Sequence, residues 1–235
     1  YAIGALIRAR KTRRRRHVIL ASVSTVLSVA YLTFLLMDAI IDHQMAATIV
    51  QLETSNSAEL EGFLEGDTYS NNLFVLAAIA MHPDATSTTL ARIAAIDDLS
   101  LHEKFGGPAE LMGGNHRGYA VMRLVVLNPQ VSSETLALLS RSPDTYVLGD
   151  VAGNMLTPKA VVERLNLERH NKSDGYLIEW GLANNKRTPE SILRELAENS
   201  RNEYTLQNIG RNPSTPSEVK KLVERRITSG DYERN

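Results

Sequence analysis

The sequence predicts an all-α protein, in which one N-terminal transmembrane helix is followed by a short α-solenoid of about five two-helix repeats. Two observations predict this fold class: a segment of twenty uncharged residues near the N-terminus, and a helix-start motif that recurs five times after it. Together they divide the chain into a basic cytoplasmic tail (1–17), the transmembrane helix (18–41), a helical stalk (42–68) and an extracytoplasmic repeat domain (69–235).

The transmembrane helix is predicted from its length and its flank. The uncharged residues 18–37 span roughly 30 Å at an α-helical rise of about 1.5 Å per residue, which matches the hydrocarbon core of a bilayer. The segment is longer than the apolar core of a cleaved signal peptide, and the cations before it disfavour a buried core helix. Because the chain starts with Tyr1, residues 1–7 are also compatible with the end of an earlier hydrophobic segment.

The distribution of charge predicts the orientation of this helix. Seven basic residues lie before residue 17, among them the run Arg13, Arg14, Arg15 and Arg16, and no Lys or Arg follows until Arg92. Since Lys and Arg near a span stay in the cytoplasm, the N-terminus is predicted to be cytoplasmic and the rest extracytoplasmic. The basic run is interpreted as this topology signal, with binding of anionic membrane lipid as the alternative.

Composition excludes some classes of function for the remainder of the chain. From residue 42 onward there are 19 basic and 26 acidic residues, and this negative balance disfavours nucleic-acid binding. The chain has no cysteine, which excludes disulfides, thiolate metal sites and a cysteine nucleophile.

The stalk is predicted to be helical, because apolar residues continue at helical spacing beyond the membrane. They are Ile41, Met45, Ile49 and Leu52. Asn56, with Glu59 three residues later, then has the pattern of a new helix start, and Gly66 is the predicted stop.

Each repeat contains a Thr or Ser, predicted to cap a helix, with an aliphatic residue four positions later. The pairs are Thr86 and Leu90, Ser132 and Leu136, Thr157 and Val161, Thr188 and Ile192, and Thr215 and Val219. Proline follows Thr157, Thr188 and Thr215, which predicts Thr at the N-cap and Pro at the first helical position. Glu218 is placed to complete a capping box with Thr215.

Other positions recur before each cap. A polar residue lies in the turn: His82, Asn128, Asn154, Asn185 and Asn212. An aliphatic residue lies three positions before it: Ile79, Val125, Val151, Leu182 and Ile209. A small or β-branched residue lies two positions before it, and in four units a Tyr lies eight or nine positions before it: Tyr119, Tyr146, Tyr176 and Tyr204. Each unit is therefore predicted as helix, Asn/Pro turn and capped helix, and units of this size must stack to bury their apolar faces. The Tyr series is interpreted as a core stripe, with a row of ligand-binding side chains as the alternative, and Trp180 as packing between repeats.

The pattern Ala-x-Asn-Pro-x-Thr-Pro-x-x-x-Leu is best seen in residues 208–222 and 150–165, and it resembles the leucine-rich repeat variant family. The resemblance covers roughly residues 69–227, and it implies short two-helix units in a right-handed superhelix without β-strands. One member of that family carries a cysteine-bound iron–sulfur cluster, a feature that a cysteine-free chain does not share, and no cofactor is expected here. The longer intervals between caps also allow an armadillo-like or HEAT-like variant.

The longest interval contains a glycine-rich segment, residues 105–118, that is predicted to be a loop. Because long loops on rigid scaffolds often carry function, it is the candidate interaction loop, with Phe105, Met112, Asn115, His116 and Arg117 as its candidate contacts. It lacks the spacing of a phosphate-binding loop. A metal site around His102, Glu103 and His116 is disfavoured against a solvated loop, and no catalytic group is predicted.

The expected function is that of a non-enzymatic, membrane-anchored scaffold. Its partners are expected to be other envelope proteins in a hetero-oligomeric assembly, such as a secretion or conjugation machine. The expected location is a bacterial inner membrane, with the repeats in the periplasm. The alternative is an extracytoplasmic enzyme or ligand sensor that uses the loop 105–118.

Overall fold

The computed structural model describes residues 47–48, 50–65, 72–96 and 117–232. The predicted transmembrane helix 18–41 and nearly all of the loop 105–118 lie outside these residues. Within them, the protein is all-α and contains no strand, which confirms this part of the predicted fold class. None of the helices in these ranges has both the length and the apolar character needed to cross a membrane.

Eleven α-helices and one 3-10 helix are delimited in the described ranges. The α-helices are α1 (Ser57–Glu65), α2 (Leu73–Met81), α3 (Ser87–Ala94), α4 (Arg117–Leu127), α5 (Ser133–Leu139), α6 (Thr145–Gly153), α7 (Lys159–Glu168), α8 (Gly175–Asn184), α9 (Glu190–Asn199), α10 (Glu203–Arg211) and α11 (Ser217–Ser229). The 3-10 helix, Arg169–Asn171, extends α7. All of them belong to one compact unit that begins at Leu52.

The helices alternate between two roles, which gives the fold its repeat-like character. The first helices of the pairs, α2, α4, α6, α8 and α10, pack against one another in chain order. The second helices, α3, α5, α7, α9 and α11, each contact the first helix of their own pair. The apolar core lies between these two sets and includes Ile79, Val125, Val151, Leu182 and Ile209, the recurring aliphatic position of the sequence pattern.

Asparagines in the turns connect each pair to the one before it. The side-chain amide of Asn185 donates to the carbonyls of Ala152 (2.8 Å) and Asn154 (2.9 Å) in the preceding pair. Its Oδ1 accepts from the backbone N–H of Arg187, two residues later. The same role is played by Asn128, Asn154 and Asn212, and we call these four residues the ladder asparagines. Because carbonyls at helix ends lack intrahelical partners, the ladder both satisfies backbone groups and sets the register of the stack.

The predicted caps are correct at Thr86 and Ser132 and wrong at the three Thr-Pro sites. Thr86 and Ser132 accept from the N–H three residues later. At the Thr-Pro sites the proline itself is the N-cap, and the helix begins one residue later than predicted. There the threonine hydroxyl turns back to the preceding helix: Thr157 donates to Val151 O (2.5 Å) and Thr188 to Leu182 O (2.6 Å). The Thr215 hydroxyl is buried without a partner among the described residues, so the predicted capping box with Glu218 is not formed.

Arginines connect neighbouring second helices. Arg164 donates to Ser140 O at the end of α5 (3.0 Å), and Arg226 donates to Ala197 O near the end of α9 (2.9 Å). Arg92 does the same for Leu64 O near the end of α1 (3.3 Å). A cation is favourable there because the C-terminus of a helix carries partial negative charge. The helix α1, which the sequence pattern places in the stalk, thus contacts α3 in the way that later second helices contact each other.

The start of α1 agrees with its sequence pattern. Asn56 Oδ1 accepts from the backbone N–H of Glu59, and the carboxylate of Glu59 accepts from the N–H of Asn56 (2.9 Å), which is a capping box. Leu60 and Leu64 are buried as the helical spacing requires.

Candidate interaction surface

Large aromatic side chains are exposed on consecutive first helices. They are Tyr146 on α6, Tyr176 and Trp180 on α8, and Tyr204 on α10, with 41%, 43%, 46% and 65% of their surfaces exposed. We call these four residues the aromatic stripe. The prediction that the Tyr series forms a core stripe is therefore wrong for the three described members, because their position falls beside the buried face of each helix. The side chain of Tyr119 lies outside the described residues.

The three tyrosines occupy similar positions along their helices. Tyr146 and Tyr204 lie eight residues before their ladder asparagines and Tyr176 lies nine before its own, so all three are at the same level of adjacent helices. Trp180 lies on the same exposed face of α8, four residues or about one helical turn after Tyr176. Partial burial, together with the neighbouring Tyr146 and Asp174, raises the pKa of Tyr176.

Glycines bring α6 and α8 unusually close beneath the stripe. A Cβ atom added at Gly181 would lie 2.1 Å from the carbonyl oxygen of Gly149, and one added at Gly149 would lie 2.8 Å from that of Leu177. Only glycine allows two helix backbones to approach this closely. The rings of Tyr146 and Tyr176 are therefore carried by the most closely packed pair of first helices.

The stripe carries no unbalanced charge at its α4 end. Arg123 of α4 donates to Asp150 of α6 (2.5 Å), and this hydrogen bond holds the pKa of Arg123 above its ordinary value. The guanidinium also lies over the ring of Tyr146, 5.4 Å from its centroid, within the range of a cation–π contact. At this end the stripe therefore combines a tyrosine ring with an arginine that is paired with a carboxylate.

A second cluster lies at the polar connector 168–174, where Arg169 is buried. Its guanidinium donates to Glu195 of α9 (2.8 Å), to Glu179 of α8 (3.3 Å) and to the backbone and side-chain oxygens of Asn166. Burial raises the pKa of Glu195, but the hydrogen bonds from Arg169 and Asn166 outweigh this and hold the pKa below its ordinary value. Since both carboxylates accept from Arg169, the cluster ties three helices together.

The predicted interaction loop falls almost entirely outside the described residues. Phe105, Met112, Asn115 and His116 lie outside the described residues, as do the topology residues 13–16. Arg117 is the first residue of α4, but its side chain is not described. In the described ranges, no group of three His, Asp or Glu side chains is arranged to hold a metal ion.

His82, the exception among the turn residues, has part of the ladder role. Its Nδ1 accepts from the backbone N–H of Asp84 (3.1 Å), as the Oδ1 atoms of the ladder asparagines do two residues along. This agrees with its interpretation as a helix-end residue.

No family model, curated protein or solved structure matches this chain. The function is therefore argued from the surface itself.

Proposed function

We propose that this protein is a non-enzymatic scaffold that binds a partner protein on its aromatic stripe. The observation that carries the proposal is the exposure of three tyrosines and the only tryptophan of the chain on three successive first helices. Tyr, Trp and Arg are the residues most enriched among binding hot spots, because each combines a large contact area with hydrogen-bonding capacity. A hydrogen-bonded stack of helices supplies the rigid support that such a site needs.

The proposed architecture is a short α-solenoid related to leucine-rich repeat variant or armadillo-like proteins. The ladder asparagines support it, since they repeat the same contact between successive helix pairs. In such arrays each repeat contacts its neighbours and leaves an extended surface for protein partners.

The proposed location is a bacterial inner membrane, with residues 18–41 as a single span and the repeats in the periplasm. The support is the uncharged segment behind Arg13, Arg14, Arg15 and Arg16, and the lack of Lys and Arg from there to Arg92. Tethering to a membrane raises the effective concentration of a weakly bound envelope partner, as suits a subunit of an envelope-spanning assembly.

The test is an affinity purification of the full chain in mild detergent, followed by mass spectrometry. We expect a defined envelope partner with the wild type, and its loss with the double variant Tyr176→Ala/Trp180→Ala. The control is Leu167→Ala, because Leu167 is also apolar and is 71% exposed, but lies on the second helix α7. The proposal is contradicted if only the monomer is recovered, or if the double variant recovers the same partners as the wild type.

A deletion of residues 105–116 separates this proposal from an enzyme or sensor that uses the loop. A scaffold that binds through the stripe keeps its partner after the deletion, whereas a loop-dependent activity or ligand is lost.

A further inference from the structure

Neighbouring first helices form grooves whose lining positions repeat from pair to pair. A Cβ atom added at Gly149 or Gly153, five residues and one residue before the ladder asparagine of α6, would lie against α8. Gly181 and Tyr146, four and eight residues before their own ladder asparagines, lie against the preceding first helix. Each groove is therefore lined by four positions, two from each helix, since residues four apart share one helix face.

Two of these grooves are occupied by contacts within the protein itself. Between α4 and α6, Arg123 donates to Asp150 and lies over the ring of Tyr146. Between α6 and α8, the backbones at Gly149 and Gly181 approach too closely for a side chain to lie between them. An ion pair thus fills the first groove, and glycine contacts close the second.

The groove between α8 and α10 is different, and we call its four lining residues the open groove. They are Trp180 and Asn184 of α8, and Tyr204 and Asn208 of α10. Trp180 and Tyr204 are 46% and 65% exposed. The carboxamide nitrogen of Asn208 is buried without a hydrogen-bond partner among the described residues. The nitrogen of Asn184 donates to Trp180 O on its own helix (2.9 Å), which leaves the Asn184 Oδ1 available as an acceptor.

Hydrogen bonding, and not charge, selects the ligand of the open groove. Both signs of charge lie nearby in the sequence, since Glu203 precedes Tyr204 and Lys186 lies two residues after Asn184. The unpartnered amide of Asn208 is unfavourable, and because it makes no hydrogen bond, it turns to a ligand without breaking one. The groove thus supplies one donor, at Asn208, and one acceptor, at Asn184. A peptide group supplies the complementary acceptor and donor, its C=O and its N–H.

We propose that the open groove binds an extended segment of the partner protein, with one peptide group held between Asn184 and Asn208. The side chains on either side of that group pack on the rings of Trp180 and Tyr204. An extended segment has main-chain groups to offer, whereas those of an α-helix are paired internally. This inference rests on the proposed scaffold function, and it specifies the class of ligand and the part of the aromatic stripe that binds it.

Trp180 makes a direct test possible, because it is the only tryptophan of the chain and lines the open groove. A phage-displayed library of random linear decapeptides without tryptophan is selected on the full chain in mild detergent. The enriched peptides are synthesised and titrated while the emission of Trp180 is recorded. We expect saturable binding, which weakens about ten-fold when one central peptide nitrogen is methylated, because methylation removes the N–H and keeps every side chain.

Three variants locate the site by calorimetry with the same peptides. Tyr204→Ala, which removes a ring, and Asn208→Leu, which keeps the size of the side chain but not its hydrogen bonds, are each expected to weaken binding about ten-fold. Tyr146→Ala is the matched control, because Tyr146 has the same position in the groove that Arg123 fills, and it is expected to leave the affinity unchanged. Circular dichroism checks that the variants retain the helical fold.

Four outcomes overturn the inference. They are a library without enriched peptides, peptides that keep their affinity whichever nitrogen is methylated, binding that neither Tyr204→Ala nor Asn208→Leu weakens, and binding that Tyr146→Ala weakens equally.

The failure of this inference is distinguishable from the failure of the scaffold proposal. If Tyr176→Ala/Trp180→Ala loses the partner in affinity purification but Asn208→Leu keeps it and the decapeptides do not bind, the scaffold stands and the ligand class is wrong. If the decapeptides bind in the open groove but no partner is recovered through the stripe, the scaffold proposal is wrong.

Discussion

The two sets of helices are joined to their neighbours by different chemistry. The first helices are joined by neutral asparagine side chains that are mostly buried, whereas the second helices are joined by arginines that are mostly part-exposed. A buried amide that satisfies backbone carbonyls is costly to remove, because the carbonyls then stay desolvated and unpaired. A part-exposed guanidinium competes with water and is screened by salt. The stack of first helices, which carries the aromatic stripe, is therefore the more rigid of the two.

Arg169 is more deeply buried than the arginines that connect the second helices, and it provides the largest expected effect. Only 3% of Arg169 is exposed, and its guanidinium forms ion pairs with the carboxylates of Glu179 and Glu195. Replacing it by methionine leaves both carboxylates without their cation, so we expect Arg169→Met to lower the free energy of unfolding by about 3–5 kcal/mol. Urea unfolding followed by Trp180 emission measures this.

Arg164→Met is the matched control, since the Arg164 side chain is 38% exposed and bonds to Glu168 on its own helix and to Ser140 in the preceding pair. A loss of about 1 kcal/mol is expected there. If the two variants are equally stable, burial does not decide the contribution of these arginines.

The second expected effect concerns the ladder. Asn185→Ala removes donors to Ala152 O and Asn154 O and the acceptor for Arg187 N, all at a fully buried position. We expect a loss of about 3 kcal/mol, from two or three backbone groups left unsatisfied. The neighbouring Asn184→Ala is the control, because Asn184 is exposed and bonds only within its own helix. A ladder variant as stable as this control would falsify the role assigned to the asparagines.

The ladder also shows what the sequence can and cannot predict. The column of Asn128, Asn154, Asn185 and Asn212 is visible in the sequence, and it correctly places a turn in each unit. The sequence does not predict its contacts, because the carbonyls that it reaches lie 27 to 48 residues earlier in the chain. A purely local pattern contains no information on such distant partners. The recurrence of a small or β-branched residue two positions before each Asn is the signal that could have indicated close contact.

The predictions for the Thr-Pro caps and for the tyrosines were wrong for local reasons. Proline holds φ near −65°, which is compatible both with the first helical position and with the N-cap, so the pattern left the start ambiguous by one residue. The Thr157 hydroxyl donates back to Val151 O, and Pro158 is then the N-cap of the helix. For the tyrosines, the size of the side chain predicts burial. Each tyrosine lies five or six residues before the buried aliphatic residue of its helix, a spacing that places it on a different face. That spacing correctly indicates exposure.

The smallest expected effect tests the close packing beneath the aromatic stripe. In Gly181→Ala the added Cβ meets the Gly149 carbonyl at 2.1 Å, so α6 and α8 must move apart. Overpacking of this kind costs about 2 kcal/mol, which exceeds the gain of up to about 1 kcal/mol in helix propensity. Thermal unfolding of the full chain measures the net loss. Gly210→Ala is the control, because its Cβ would meet only Val223 at an ordinary 3.6 Å, and other pairs carry alanine at this position. Equal stability of the two variants would show that the helices tolerate a wider separation.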